Sequence, residues 1–278
     1  MSSRRKTAKT DKVAKTPFVA RPFAGRVDET EWVALREIVP AATAPLSVGG
    51  VAVTLSTVLP LAWPGMVTAS GTRFLGLQVA SRSGDASRDL AHVLELVVTA
   101  APGTSVAPLE LAGPGPRLQD LLDPAPLDVT LHDGFDYWLA GAGDDPDVQE
   151  SMERANASVV PTARVAGVTS AYWCRMRERS HLRWVLPEDE EPLLDALARL
   201  AVTGGLSLGE GTRYVGSFRA HGLLVPVWDL PLAMEADAAC APAAAFRSRL
   251  DEALSGPALT ADQRRARAGL LSRQLTLR

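Results

Sequence analysis

The chain has 278 residues, of which 46% are hydrophobic and 22% charged, and its formal net charge is −3. This length and apolar content allow a sizeable folded core and exclude a chain too polar to fold. No apolar run approaches the roughly 20 residues that cross a bilayer, so no membrane contact is expected. The basic N-terminus lacks the apolar stretch of a secretory signal, and we therefore predict a cytoplasmic protein.

The basic residues are unevenly distributed along the chain. Only Asp11 offsets the basic residues up to residue 26, whereas from residue 27 onward 21 arginines face 31 acidic residues, a formal net charge of −10. We predict a disordered basic tail over 1–26, whose first twenty residues are suited to weak nucleic-acid contact. The candidate residues for this contact are Arg4, Arg5, Lys6, Lys9, Lys12 and Lys15. The alternative is a solubilising tail without a partner.

The first half of the body alternates between helical and extended patterns. Apolar spacing and Pro40 predict a helix over 28–39, followed by a loop over 41–50. A second helix, over 88–99, has an apolar stripe on one side. Further predicted elements are strands at 51–55, 73–80 and 127–131 and a short helix at 118–122.

The second half is predicted to contain two hairpins and four helices. The hairpins are 171–177 with 182–186, and 212–219 with 223–228. Pro226 lacks a backbone N–H, which predicts that its strand lies at a sheet edge or carries a bulge. The helices are expected over 148–157, from Pro192 to the glycines at 204–205, over 242–254, and from a capping box at 260–263 onward.

These elements predict an α+β fold, with mixed or antiparallel sheets and packed helices. Each half contains a strand, an amphipathic helix and a later aromatic strand that follows a histidine and a glycine, 132–139 and 221–230. This similarity favours two related lobes, 27–155 and 156–278, although the biased composition can produce such similarity by chance.

The sequence lacks the motifs of metal and nucleotide sites. Cys174 and Cys240 form no close pair, and the four histidines are scattered, so we expect buried, inert thiols rather than zinc ligands. The acidic stretch 132–147 lacks the twelve-residue calcium pattern. A phosphate-binding glycine loop is also missing. We therefore predict no metal and no cofactor.

The strongest candidate binding site surrounds the second hairpin. It combines guanidinium, imidazole and carboxylate groups that can bind an anion or transfer protons. The candidate residues are Arg183, Phe218, Arg219, His221, Trp228 and Asp229, with His181 nearby. The alternative is that a tight His-Gly turn and an Arg–Asp pair only fasten the edge of the sheet.

The first hairpin has the composition of a nucleic-acid platform, in which aromatic rings stack on bases while arginines hold phosphates. The residues concerned are Arg175, Arg177, Arg179 and Arg183 with Tyr172, Trp173 and Trp184. Glu178 and the acidic run 188–191 lie close in sequence and can neutralise these arginines.

Four stretches, 35–46, 116–124, 181–184 and 216–231, resemble an uncharacterised actinobacterial family, a domain of unknown function. Members are sometimes labelled as a preprotein translocase ATPase or a topoisomerase. The sequence supports neither label, because it has no nucleotide-binding loop and no cysteine-rich zinc tail. The resemblance implies no activity, catalytic residue or cofactor.

We therefore expect a protein of unknown function that acts as a non-enzymatic cytoplasmic binding or adaptor protein, with a partner surface at the hairpin of Arg219, His221 and Asp229. One alternative is a nucleic-acid-associated protein that uses the lysine-rich tail. The other is an enzyme of unknown class built on His221 and Asp229.

Overall fold

The fold was examined in a computed structural model that describes residues 17–80, 82–107, 114–139, 146–272 and 275–276. These residues form seven α-helices and two six-stranded sheets, which confirms the predicted α+β class. The candidate nucleic-acid contacts between Arg4 and Lys15 lie outside the described residues.

The first sheet has mostly antiparallel pairing and one parallel pair. Its strands are β1 Ala42–Val48, β2 Val51–Ser56, β3 Gly65–Val67, β4 Arg73–Gly76, β5 Thr104–Val106 and β6 Thr130–Leu131. They lie in the order β5-β3-β4-β2-β1-β6, with β2 and β4 parallel. The helices of this half are α1 Glu29–Glu37, α2 Ala86–Thr99, α3 Leu118–Leu121 and α4 Pro146–Asn156.

The second sheet is built around two antiparallel hairpins. Its strands are β7 Thr162–Arg164, β8 Ala171–Met176, β9 Arg179–Trp184, β10 Arg213–Ala220, β11 Leu223–Leu230 and β12 Leu275–Thr276. The order is β12-β10-β11-β9-β8-β7. Helices α5 Glu190–Val202, α6 Ala236–Leu254 and α7 Ala261–Ser272 accompany this sheet. The two sheets thus differ in strand order, and the relation between the two halves stays a prediction.

The two faces of the second sheet contact different hydrophobic cores. Tyr172 belongs to a first core that contains α1, α2 and the first sheet, whereas Trp173 belongs to a second core with α5, α6 and α7. Successive side chains of a strand point to opposite faces, which explains why these neighbours separate. The first core also contains Val185 and Val225, so it extends across the predicted lobe boundary at residue 155.

Residues 41–50 form a strand and a turn, so the prediction of a loop is wrong. β1 pairs with β2 along its length, and Gly49 and Gly50 make the turn with φ of +55° and +83°. Ala42 and Ala44 are buried in the first core, whereas Thr43 between them and Pro45 after them point to the other face and are more exposed. Small side chains and Pro45 give this stretch the composition of a loop. Its more buried and more exposed residues nevertheless alternate along the chain, as in a strand.

Two predictions based on prolines also fail. β11 lies inside the sheet, and the bulge falls on β10 between Tyr214 and Gly216. Pro226 is tolerated because the pairing of β11 with β9 begins only at Val227. The N–H group that proline lacks is therefore not needed for hydrogen bonding between these two strands. Helix α6 begins at Ala236 rather than at Pro242. The alanine-rich residues that precede the proline extend the helix toward its N-terminus.

Residues 17–26 belong to the folded body rather than to a disordered tail. Phe23 is fully buried in the first core and stacks on Trp32. The carbonyl groups of Pro22 and Ala24 accept hydrogen bonds from Gln119. The predicted boundary at residue 26 is therefore too late in the chain.

The segment 17–26 also packs against the turn of the second hairpin, which predicts that Gly222→Ala destabilises the fold. Gly222 has φ of +77°, and an added Cβ would lie 2.8 Å from the carbonyl oxygen of Ala20. Backbone strain and this clash together predict a loss of about 2–3 kcal/mol in the free energy of unfolding, measured by urea denaturation. Gly50→Ala is the control, because Gly50 has φ of +83° with nothing within 4 Å of the added Cβ. Equal losses in the two variants would show that the clash contributes nothing.

Within the described ranges, no helix is both long enough and apolar enough to cross a membrane.

Candidate binding surface on the second sheet

The face of the second sheet that contacts the first core continues beyond it as a surface that the described residues leave partly exposed. Tyr172 on β8, Val185 beyond β9 and Val225 on β11 are buried in that core. Because every second residue shares a face, the side chains at even steps from these three point the same way. We call this surface the open face, and it consists of Met176, Arg179, His181, Arg183, Arg213, Val227 and Asp229.

Strand pairing brings the charged side chains of the open face together. Asp229 lies opposite Arg213 on one side and opposite His181 on the other. Residues directly opposite each other in antiparallel strands have Cβ atoms about 5 Å apart, close enough for these side chains to meet. The order across the sheet is thus a guanidinium, a carboxylate and an imidazole.

Asp229 is the centre of a cluster of cations. Its Oδ2 accepts a hydrogen bond from the Arg213 guanidinium at 2.5 Å and lies 3.8 Å from Arg179. Its Oδ1 lies 3.0 Å from His181 Nδ1, although the geometry of this contact is not that of a hydrogen bond. One carboxylate therefore serves three basic side chains.

Arg183 has a different neighbour. Its guanidinium contacts the Met176 sulfur at 3.0 Å, and no carboxylate of the described residues lies within 4 Å of it. Met176 is itself 42% exposed, so a cation and an apolar side chain lie side by side on this surface.

The open face is more basic than the chain as a whole. Arg179, Arg183 and Arg213 oppose the single carboxylate of Asp229, before any proton on His181 is counted. The side chains of Arg179 and Arg213 are 71% and 68% exposed. Exposed arginines that exceed the local acids on an acidic body create a local positive potential.

Cys174 lies between Thr162 and His181 in the same cross-strand row, but it is not a poised nucleophile. The thiol is 1% exposed. Burial raises the pKa of the Cys174 thiol, and the nearby Arg183 opposes that rise only in part. A buried thiol with a raised pKa is inert toward most reagents. This environment agrees with the expected buried, unreactive cysteine.

Two of the predicted site residues contact carboxylates away from the open face. Arg219 makes a two-pronged contact with Glu190 at the start of α5. His221 Nε2 lies 2.8 Å from Glu37 at the end of α1. Both contacts connect the second hairpin to a neighbouring helix, and so differ from the Arg–Asp pair at the sheet edge that was considered as the alternative.

Two further predicted residues are core side chains. Trp228 is fully buried in the second core and donates its indole N–H to the Leu206 carbonyl at 2.7 Å. Phe218 is half-buried against the first core. Of the six candidates, only Arg183 and Asp229 therefore lie on the open face.

The structure does not bring His221 and Asp229 together. His221 occupies the turn of the hairpin, whereas Asp229 pairs with Arg213 at the opposite end. Leu223 and Asp229 are six residue steps apart on β11, a distance of about 20 Å at the rise of an extended chain. An enzyme that uses these two side chains on one substrate atom is incompatible with this arrangement.

The aromatic residues of the first hairpin are unavailable for base stacking. Tyr172, Trp173 and Trp184 are all buried. Arg175 is held by Glu235 and by the Leu232 carbonyl. The predicted nucleic-acid platform therefore lacks its stacking surface, because alternation placed the rings in the two cores.

Among the described residues, no three His, Cys, Asp or Glu side chains converge in a geometry that could hold a metal ion. The acidic residues at 144–145 lie outside the described residues.

Most of the chain matches one known protein family. A family of unknown function, DUF5926, matches residues 22–278. The chain belongs to DUF5926. This membership confirms the resemblance to an uncharacterised family, and the lysine-rich residues of this DUF5926 chain precede the matched region. No curated protein and no solved structure shows significant similarity to it.

Sequence reasoning missed Met176 and Arg213 in this DUF5926 chain, and it assigned Arg179 to a nucleic-acid platform rather than to the surface around Asp229. A signal for the arginines and histidine was available, since Arg179, His181 and Arg183 alternate along one strand and must share a face. Grouping residues by strand face, rather than by closeness in sequence, separates Arg179, His181 and Arg183 from Leu182 and Trp184, which point to the opposite face.

Proposed function

We propose that this chain is a cytoplasmic, non-enzymatic adaptor that binds a protein partner through the open face. The observation that supports this proposal is the adjacent pair of Arg183 and Met176, with its guanidinium against a half-exposed thioether. Arginine and methionine are enriched at protein interfaces, where the first supplies directional hydrogen bonds and the second adaptable apolar contact.

The surroundings of this pair favour a protein over a nucleic acid. A single-strand surface needs exposed aromatic rings, and the rings of this region are buried in the cores. Val215, the extra residue of the bulge on β10, adds an exposed apolar side chain two positions from Arg213 on the same strand. A mixture of exposed apolar and basic side chains is suited to the centre and rim of a protein interface.

The rigidity of the support also favours binding. The open face is formed by paired strands whose opposite side is filled by Leu182, Trp184 and Trp228 of the second core. Side chains on such a platform lose little backbone freedom when a partner binds, which lowers the cost of association.

The test is an affinity capture from native extract with the full chain. We expect a protein to be retained with and without nuclease, and to be lost when Arg179→Ala and Met176→Ala are combined. The matched control combines Arg265→Ala on α7 with Val202→Ala on α5, two exposed positions outside the open face. Truncating an anchor and a rim residue of a standard interface predicts a loss of about tenfold or more in affinity.

Two outcomes would overturn the proposal. Equal capture by the open-face variant and the control variant would place the interface elsewhere. Recovery that disappears with nuclease would support nucleic-acid association through the candidate residues from Arg4 to Lys15, whose basic composition is the reason to retain that alternative.

A further inference from the structure

The structure assigns a chemical class to the partner of the open face: we propose that it is an acidic peptide segment, with carboxylates that pair with Arg183 and Arg179 and an apolar side chain that packs on Met176. This inference rests on the proposed adaptor function and specifies the ligand of the same surface.

The first argument is the shortage of carboxylates on the open face. Asp229 is shared among Arg213, His181 and Arg179, and its contact with Arg179 is the longest of the three at 3.8 Å. Arg179 is therefore weakly paired. Counting the adjacent turn does not change this balance, because Arg177 and Glu178 in that turn have opposite charges.

The second argument is the contrast with other arginines of the chain. Arg21, Arg164, Arg219 and Arg267 each pair with at least one carboxylate within 2.9 Å. Among the described residues, the hydrogen-bond acceptor of the Arg183 guanidinium is instead the sulfur of Met176. A thioether is a weak acceptor, so the guanidinium keeps most of its capacity for a two-pronged bond to a carboxylate.

The third argument separates a peptide from other anions. An anionic ligand without apolar groups gains nothing from the exposed Met176 side chain. An acidic peptide satisfies both features, since a carboxylate can reach Arg183 while a neighbouring apolar residue covers the sulfur and its methylene groups. Nucleic acid is disfavoured because the adjacent rings are buried.

The experiment selects ligands from a displayed library of random peptides of about 12 residues, long enough to cross four strands as an extended chain. The full chain is the bait. We expect enriched peptides to carry an excess of Asp and Glu together with at least one large apolar residue. A representative peptide should bind Arg183→Glu about tenfold or more weakly, because the change replaces attraction by repulsion. Binding to Arg183→Lys should be intermediate, because lysine keeps the charge and loses the two-pronged geometry.

The control is Arg265→Glu, an equal charge reversal on the exposed surface of α7, which should leave peptide binding unchanged. Enriched peptides that lose binding to Met176→Ala but show no acidic excess would overturn this inference and leave the adaptor proposal intact. Failure to enrich any peptide, or peptides that bind the Arg183→Glu and Met176→Ala variants normally, would count against both. Displacement of the peptides by a single-stranded oligonucleotide at lower concentration would overturn the inference in favour of nucleic acid.

Discussion

Trp228→Ala should lower the free energy of unfolding by about 3–5 kcal/mol, the range for removing a large buried aromatic side chain. Trp228 is fully buried, and its ring centroid lies 5.0 Å from that of Phe246 and 5.5 Å from that of Tyr214. Removal of the indole leaves a cavity between β11 and α6 and frees the Leu206 carbonyl from its hydrogen bond. Urea denaturation followed by circular dichroism measures the change.

Two controls make this prediction specific. Phe18→Ala removes an aromatic ring that is 81% exposed and should change the free energy of unfolding by less than about 0.5 kcal/mol. Trp228→Phe keeps most of the apolar volume and should lie between the two. A loss below about 1 kcal/mol for Trp228→Ala would contradict the core assignment and would restore Trp228 as a candidate contact for a partner.

Glu31→Ala is the second large effect, with an expected loss of about 3 kcal/mol. The Glu31 carboxylate lies in a buried site, where it accepts hydrogen bonds from Arg164 at 2.5 Å, from Ser170 at 2.7 Å and from the Tyr172 hydroxyl. Its removal leaves the Arg164 guanidinium and the Tyr172 hydroxyl without this acceptor, whereas Ser170 can still donate to Thr30. Breaking a buried ion pair in this way costs about 3–5 kcal/mol. We expect the lower end of this range because water can still reach Arg164, whose side chain is 38% exposed.

The ionisation of Tyr172 is consistent with this geometry. Burial and the adjacent Glu31 carboxylate raise the pKa of the Tyr172 hydroxyl far above its ordinary value. A raised pKa favours the neutral hydroxyl, which is the form that donates the hydrogen bond to Glu31.

A double-mutant cycle tests the Glu31 site. Tyr172→Phe removes one donor and should cost about 1–2 kcal/mol. Combined with Glu31→Ala it should cost less than the sum, since both changes break the same hydrogen bond. Glu150→Ala is the surface control, because its ion pair with Arg154 is about 70% exposed on both sides and should contribute under about 0.5 kcal/mol. Strict additivity of Glu31→Ala and Tyr172→Phe would be incompatible with a direct bond.

The Glu31 site also bears on the predicted division into lobes 27–155 and 156–278. Glu31 lies on α1, whereas Arg164 and Tyr172 lie on β7 and β8, so the hydrogen bonds cross that division. The first core crosses it as well. We therefore expect the variants above to broaden or split the unfolding transition only if the two halves can unfold separately.

Local sequence patterns determined most of the regular elements. The apolar stripe of α2 and the capping box of α7 are short-range signals, and both helices formed within a few residues of the expected positions. The two hairpins followed from alternating side chains around short turns. Membership of an uncharacterised family was also readable from the sequence. These features depend on neighbours within a few residues, which is why one sequence suffices to predict them.

The site depended on contacts that no local pattern encodes. Alternation shows that Arg183 and His181 share one strand face, but it does not show whether a helix, another sheet or solvent lies against that face. His221 contacts Glu37, which lies 184 positions away in the sequence, and this contact connects the turn of the second hairpin to the end of α1. Trp228 and Asp229, adjacent in sequence, separated into a buried core and an uncovered surface because tertiary packing covers one face of β11 fully and the other only in part.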